Sequence, residues 1–164
     1  MPRSLAREQD ILHRRAPKRP PHLISRRIGI HTSSAGGVQN AAERAYRLGC
    51  NTFQIFSSSP RQWAPYELGE LQCAQMNRLR EKYNLKPLVI HTNYLVNLAS
   101  SNELFLHKSM EGFRGEIERA LSLLPNIWSC IPVHFVGPTA SRGCCVRPLQ
   151  SPRQPKVLIL RKVV

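Results

Sequence analysis

Polar residues suited to chemistry stand in three short stretches, and each stretch directly follows an apolar run. They are HTSSAGG (residues 31–37), SSSPRQW (residues 57–63) and HTNYLVNL (residues 91–98). Histidine binds metals and transfers protons near neutral pH, and arginine pairs with phosphate. The composition of these stretches raises the hypothesis of an active site, provided that the fold brings them together.

The apolar runs before these stretches predict β-strands, and the segments after them predict helices. We predict strands in residues 26–31, 51–57 and 86–94, and helices in residues 38–50, 67–85 and 102–123. Gly49 is expected to end the first helix, and Asn102 is a suitable N-cap for the third. Strands that alternate with helices at this spacing predict a parallel α/β sheet, in which the carboxyl ends of the strands meet at one edge.

Each predicted helix carries apolar residues at helical spacing, which we expect to face the sheet. The expected buried residues of the first helix are Val38, Ala41, Ala42, Ala45 and Leu48. Those of the second are Leu68, Leu71, Cys73, Met76 and Leu79, and those of the third are Leu104, Phe105, Met110, Phe113, Ile117 and Leu121.

The net charge of +14 is concentrated at the two ends of the 164-residue chain. Residues 1–27 contain eight basic and two acidic residues. Residues 28–123 contain ten basic and eight acidic residues, and residues 124–164 contain six basic residues and no acidic residue. We therefore expect a basic, disordered extension in residues 1–27, one domain in residues 28–123, and a basic, disordered tail in residues 124–164. Within the tail, KVLILRKVV could pair as an edge strand.

Several protein classes are disfavoured by composition. No run of 18 apolar residues predicts a membrane span, and no apolar stretch near Met1 predicts a secretory signal, so we expect a cytoplasmic protein without membrane contact. The early arginines weakly suggest a transit peptide, but the nearby acids and prolines disfavour it. Five cysteines without C-x-x-C spacing disfavour disulfides and a thiolate zinc site.

Four stretches together carry a family resemblance: IGIHTSSAGGVQNAAERA, FQIFSSSPRQW, HTNYLVNLAS and KSMEGFRGEIERA. Over residues 28–123 the chain resembles the endonuclease IV family of apurinic/apyrimidinic endonucleases, in the xylose-isomerase-like group of TIM barrels. The resemblance implies an eight-stranded barrel, of which this chain holds about three βα units. It also implies a trinuclear zinc site and hydrolysis of the DNA backbone on the 5′ side of an abasic site.

The resemblance also implies roles for individual residues. His91 matches the family's first zinc ligand, Arg61 and Gln62 match loop residues that enter the DNA at the lesion, and Tyr94 matches a side chain that does the same from the next loop. The first-loop signature is matched by His31, Gly36 and Gly37, with no ligand role implied for His31.

Structural roles are the competing interpretation of the same residues. Without the resemblance, His91 is typical of a hydrogen-bonded structural histidine. Arg61 could be a solvated arginine stacked on Trp63, Tyr94 could be a packing residue, and His31 could order its loop.

The resemblance stops after the third helix. The family has a second zinc-binding histidine on its fourth strand, and spacing from His91 places it at position 131, where this chain has Ile131. Back-translation of LPNIWSCIP with common codons, read in another frame, gives Ala-Glu-Tyr-Leu-Val-Leu-His-Pro, which restores a strand and that histidine. We therefore interpret residues 124–164 as frameshifted translation, and we treat His134 as a coincidence. Leu23 is a candidate start codon ahead of the matching region.

These observations predict a fragment of a zinc-dependent abasic-site endonuclease that is inactive because it presents one metal ligand. Its partner is DNA with abasic sites, and exposed apolar faces predict either a monomer or an aggregate. One rival is a sugar-isomerase-like barrel, which Arg61, Gln62, Trp63 and Tyr94 disfavour. A second is a small basic nucleic-acid-binding protein, which the lack of aromatic residues between the terminal basic residues disfavours.

Overall fold

A computed structural model describes residues 11–17, 26–64, 67–123, 127–129 and 156–160. Five strands form one sheet: β1 (Arg26–His31), β2 (Thr52–Phe56), β3 (Leu88–His91), β4 (Ile127–Ser129) and β5 (Lys156–Leu160). Their order is β4-β3-β2-β1-β5, and all four pairings are parallel. The predicted α/β class with a parallel sheet is confirmed.

Three helices connect the first four strands: α1 (Gln39–Arg47), α2 (Glu70–Lys82) and α3 (Glu103–Leu123). As predicted, Gly49 follows the end of α1 with a φ of 78°, a backbone conformation that glycine adopts without a steric penalty. Asn102 caps α3, because its Oδ1 accepts a hydrogen bond from the Phe105 N–H at 3.0 Å. Since α1 packs against α2 and α2 against α3, the three helices lie on one face of the sheet.

The apolar core lies between the helices and the sheet. Phe53 and Ile55 of β2 pair in register with Leu88 and Ile90 of β3, and all four side chains are fully buried. They join a core cluster that includes Ala41, Ala42 and Ala45 of α1, Cys73 and Met76 of α2, and Ala120 and Leu123 of α3. The predicted inner faces of α1 and α2 are confirmed, except that Leu71 is exposed.

The predicted inner face of α3 is wrong. Leu104, Met110 and Leu121 are 79%, 59% and 67% exposed, and Phe105 is also exposed. The buried residues are instead Ser109, Glu116, Ala120 and Leu123. Polar members of this face hold the backbone of the loop before α3, so hydrogen bonding rather than apolar character sets the orientation of the helix.

Pieces of the two segments that were expected to be disordered have defined structure. Residues 11–17 lie against α1, where Tyr46 Oη donates to the Pro17 carbonyl at 2.7 Å and Arg47 donates to the Arg14 carbonyl. At the other end, β4 pairs with β3, and β5 pairs with β1 along its length, as proposed for KVLILRKVV. Within these two segments, residues 1–10, 18–25, 124–126, 130–155 and 161–164 lie outside the described residues. Among the helices described, none has the length and apolar character needed to cross a bilayer.

Candidate functional site

The three polar stretches lie at the carboxyl edge of the sheet, in the loops that follow β1, β2 and β3. We refer to them as loop 1 (residues 32–38), loop 2 (residues 57–64) and loop 3 (residues 92–102). Register pairs His31 with Gln54 across β1 and β2, and Phe56 with His91 across β2 and β3. Because side chains alternate along a strand, His31, Phe56 and His91 lie on the face of the sheet opposite the helices.

Four rings form a cluster at this edge. Phe56 lies at its centre, with ring centroids 4.4 Å from His31, 4.7 Å from His91 and 5.1 Å from Tyr94. The two histidine rings are 5.7 Å apart, and Tyr94 packs edge-on against His91 at 5.4 Å. The fold therefore brings together His31, His91 and Tyr94, three residues that the sequence singled out.

His91 is held in one orientation. It is 6% exposed, and its Nδ1 lies 2.7 Å from the Thr92 carbonyl oxygen. Because a carbonyl oxygen only accepts, this contact places a proton on Nδ1. Histidines that bind metals are oriented in the same way by a backbone carbonyl or a carboxylate.

Loop 1 is shaped by its glycines and by one buried arginine. Gly36 and Gly37 have φ values of 79° and 126°, which L side chains rarely adopt. Arg44 of α1 donates to the carbonyl oxygens of Ser33 at 2.7 Å and Ala35 at 3.0 Å. The Gly-Gly pair therefore allows the turn, and the guanidinium group holds it on the helix.

Loop 2 exposes the two residues that the resemblance assigns to DNA. Arg61 and Gln62 both lie at the surface. The neighbouring Trp63 packs its ring edge-on against Phe105 of α3, with centroids 5.5 Å apart. Trp63 thus anchors the loop to α3. Tyr94 of loop 3 is also largely exposed, at 63%, although its ring contacts the cluster.

Two buried polar residues that sequence reasoning missed connect these loops. Asn93 donates to backbone carbonyls of loop 2, and Glu116 of α3 accepts the Asn93 N–H at 2.8 Å. Burial raises the pKa of Glu116, and the Asn93 N–H and Arg119 oppose that shift. The available signal was a glutamate at helical spacing from Ser109, Ala120 and Leu123, on a face that would otherwise be small or apolar.

The described residues do not provide a complete metal site. Within the described ranges, no three His, Cys, Asp or Glu side chains converge in a way that could hold a metal ion. A trinuclear zinc centre needs several histidine and carboxylate ligands. His91 is the one residue in these ranges that the resemblance assigns as a ligand, so the family's metal centre does not fit this part of the chain on its own.

Curated proteins with similar sequences share one name. A probable endonuclease 4 from Solibacter usitatus is 44% identical over 117 residues, which is 71% of this chain and 40% of that protein. An endonuclease 4 from Thermus thermophilus is 42% identical over 99 residues, covering 59% of this chain and 36% of the relative. A probable endonuclease 4 from Halothermothrix orenii is 37% identical over 93 residues, covering 57% of this chain and 34% of the relative. No family model matches the chain.

A solved structure agrees with these relatives. A crystal structure of endonuclease IV from Thermus thermophilus superposes with a TM-score of 0.62 at 38% identity, covering 65% of this chain and 40% of that one. The chain therefore spans about two fifths of the length of the relatives that it matches. In its parallel βα units, its carboxyl-edge loops and its sequence, the chain is similar to the corresponding two fifths of endonuclease IV proteins, which share the TIM-barrel fold.

Proposed function

We propose that this chain carries part of the substrate-binding edge of an apurinic/apyrimidinic endonuclease of DNA repair. The intact enzyme hydrolyses the phosphodiester bond 5′ to an abasic site with zinc bound. The 164-residue chain is inactive by itself, because a single residue, His91, matches an expected zinc ligand. The observation that carries the proposal is the meeting of three family-like loops at one edge, where a buried histidine lies beside an exposed tyrosine.

The surface around His91 supports a DNA ligand. Arg61, Gln62 and Tyr94 project from adjacent loops and remain exposed. The backbone beside them is held by the buried Asn93, which donates to the carbonyl oxygens of Ser59 and Gln62. An arginine suits phosphate oxygens, and an exposed aromatic ring can fill the gap that a missing base leaves in the stack. The Thr92 carbonyl oxygen fixes the orientation of the His91 ring through Nδ1. The described residues do not complete a metal site.

Fluorescence anisotropy of a labelled duplex with one abasic site tests the DNA assignment on the full chain. We expect tighter binding to the abasic duplex than to the intact duplex, and we expect Arg61→Ala to reduce that preference. Arg78→Ala, which removes an exposed arginine from α2, is the matched control and should leave the preference unchanged. Equal, strongly salt-dependent binding to both duplexes would instead favour the small basic nucleic-acid-binding protein, which uses the charged ends of the chain.

Incision of the same duplex tests the claim of inactivity. With added zinc, we expect the chain to cleave no faster than its His91→Ala variant. Zinc-dependent cleavage above that control would show that the chain completes a metal site, and the proposed inactivity would be wrong.

A further inference from the structure

The side chain of Asn93 uses its hydrogen-bonding groups to join loop 3 to loop 2. Its Nδ2 donates to the carbonyl oxygens of Ser59 at 3.0 Å and Gln62 at 2.9 Å, both in loop 2. Its Oδ1 accepts the N–H of Leu95 at 2.8 Å within loop 3. Both amide protons and the amide oxygen are therefore bonded, and the residue is buried.

Glu116 of α3 lies behind this amide and holds its backbone. The carboxylate Oε1 accepts the Asn93 N–H at 2.8 Å, and the residue is 1% exposed. A buried carboxylate is costly to keep, so its place on the inner face of α3 calls for an explanation. The hydrogen bond to Asn93 provides one, because it fixes the residue from which the contacts to loop 2 originate.

Further contacts run in parallel with this chain of hydrogen bonds. The Tyr94 N–H donates to the Pro60 carbonyl at 3.3 Å, which joins the two loops through their backbones. Arg119, one turn after Glu116, lies 3.4 Å from the Ser57 hydroxyl of loop 2. Loops 2 and 3 are therefore connected to each other and to the same stretch of α3.

The exposed residues proposed to meet DNA adjoin the bonded atoms. Arg61 lies between Ser59 and Gln62, whose carbonyls accept from Asn93, and Tyr94 directly follows Asn93 in the chain. Side chains that must act together on one ligand bind more tightly when their backbone is held in place beforehand.

We propose that Asn93 and Glu116 form a loop bridge that holds loops 2 and 3 as one unit, which makes them positioning residues for Arg61, Gln62 and Tyr94. The relevance to DNA rests on the proposed function, whereas the loop bridge itself is a property of the folded chain. Its consequence is that a change at Glu116, which bonds to loop 3, loosens loop 2 as well.

Hydrogen exchange followed by mass spectrometry on the full chain tests the loop bridge. We compare Glu116→Ala and Asn93→Ser with Glu118→Ala, an exposed glutamate of the same helix that serves as the matched control. Serine keeps an oxygen for the Leu95 N–H but does not reach loop 2. We expect both test variants to speed exchange in peptides from loop 2 and loop 3 by about tenfold or more, with α1 unchanged, because local opening differs from global unfolding.

The conservative variant Glu116→Gln separates positioning from general destabilisation. Glutamine retains an oxygen that accepts the Asn93 N–H, so exchange in both loops should stay at the level of the unmodified chain. Faster exchange in loop 3 alone after Glu116→Ala, or an equal increase in α1, would overturn the loop bridge. If Glu116→Ala does not fold, Asn93→Ser decides the same question. Since no DNA is present, this result is independent of whether the proposed function holds.

Discussion

At the scale of single residues, burial separates the groups that hold the site from those that are free to meet a ligand. His91, Asn93 and Glu116 are buried and bonded to backbone atoms, whereas Arg61 and Tyr94 are exposed on the loops above them. Whether a side chain at this edge is buried or exposed thus indicates its role. Buried polar groups fix the loop backbone, and the exposed Arg61 and Tyr94 are the groups that we propose contact DNA.

Glu116 gives a prediction about pH. Burial raises its pKa in the folded chain, so folding favours the protonated form. The stabilising contribution is fully present below the pKa of the unfolded chain and is lost as the pH rises through the raised folded value. Glu116→Gln removes this loss. As the pH rises from the pKa of a glutamate in the unfolded chain through the raised folded value, we expect the urea midpoint of Glu116→Gln to rise relative to that of the unmodified chain.

The matched control for this measurement is Glu118→Gln on the exposed side of α3. Its urea midpoint should follow that of the unmodified chain at every pH. If Glu116→Gln lost stability relative to the unmodified chain at high pH, the glutamate would be stabilised as a carboxylate, and the direction of its pKa shift given above would be wrong.

At the scale of elements, short local signals set where each helix begins and ends. Glycine follows α1 in the left-handed region, with the Gly49 N–H donating to the Tyr46 carbonyl at 2.9 Å. Gly69 precedes α2 with a φ of −64°, a value that any residue adopts. The backbone at Gly49 therefore favours glycine, whereas the backbone at Gly69 accepts any residue.

Replacing these two glycines by alanine forms a matched pair. Neither position has a heavy atom within 4 Å of an added Cβ, so packing does not distinguish them. We expect Gly49→Ala to lower the free energy of unfolding by about 1 kcal/mol, because alanine is strained in the left-handed region. Gly69→Ala should cost clearly less. Equal costs, measured by urea denaturation, would show that backbone strain does not explain the end of α1.

Strands and helix ends could be predicted from sequence because they depend on local patterns. β1 was predicted at its observed bounds, and Gly49 and Asn102 act as expected. The orientation of α3 was not predictable in this way, since its apolar residues form one stripe and its inner face contains Ser109 and Glu116. The partners of that face are loop backbone groups, which a hydrophobic pattern does not reveal. The loop bridge was missed for the same reason.

At the scale of the whole molecule, α3 presents apolar surface to solvent. Met110 and Leu121 are exposed, and with the half-buried Phe113 and Ile117 they follow helical spacing along one side. The chain spans about two fifths of the length of the relatives that it matches. Contiguous apolar surface of this kind promotes self-association.

Charge placed on that stripe should reduce self-association. We expect the double variant Met110→Lys with Leu121→Lys to lower the fraction of oligomer in sedimentation velocity at matched concentration. Leu71→Lys, at an exposed leucine of α2 outside the stripe, is the control and should have a smaller effect. If the two variants had equal effects, added charge, rather than contact between copies through the apolar side of α3, would control self-association.

Expressing the chain in the alternative reading frame that we propose begins at Leu124, extended to the length of its relatives, tests most directly whether this edge belongs to an abasic-site endonuclease. We predict that the restored protein incises abasic DNA in a zinc-dependent manner that EDTA abolishes. His91→Ala should remove zinc and activity together, and Arg61→Ala should mainly weaken binding to the lesion. A restored protein that folds and binds zinc but leaves abasic DNA intact, or that keeps full activity after His91→Ala, would contradict the proposed function.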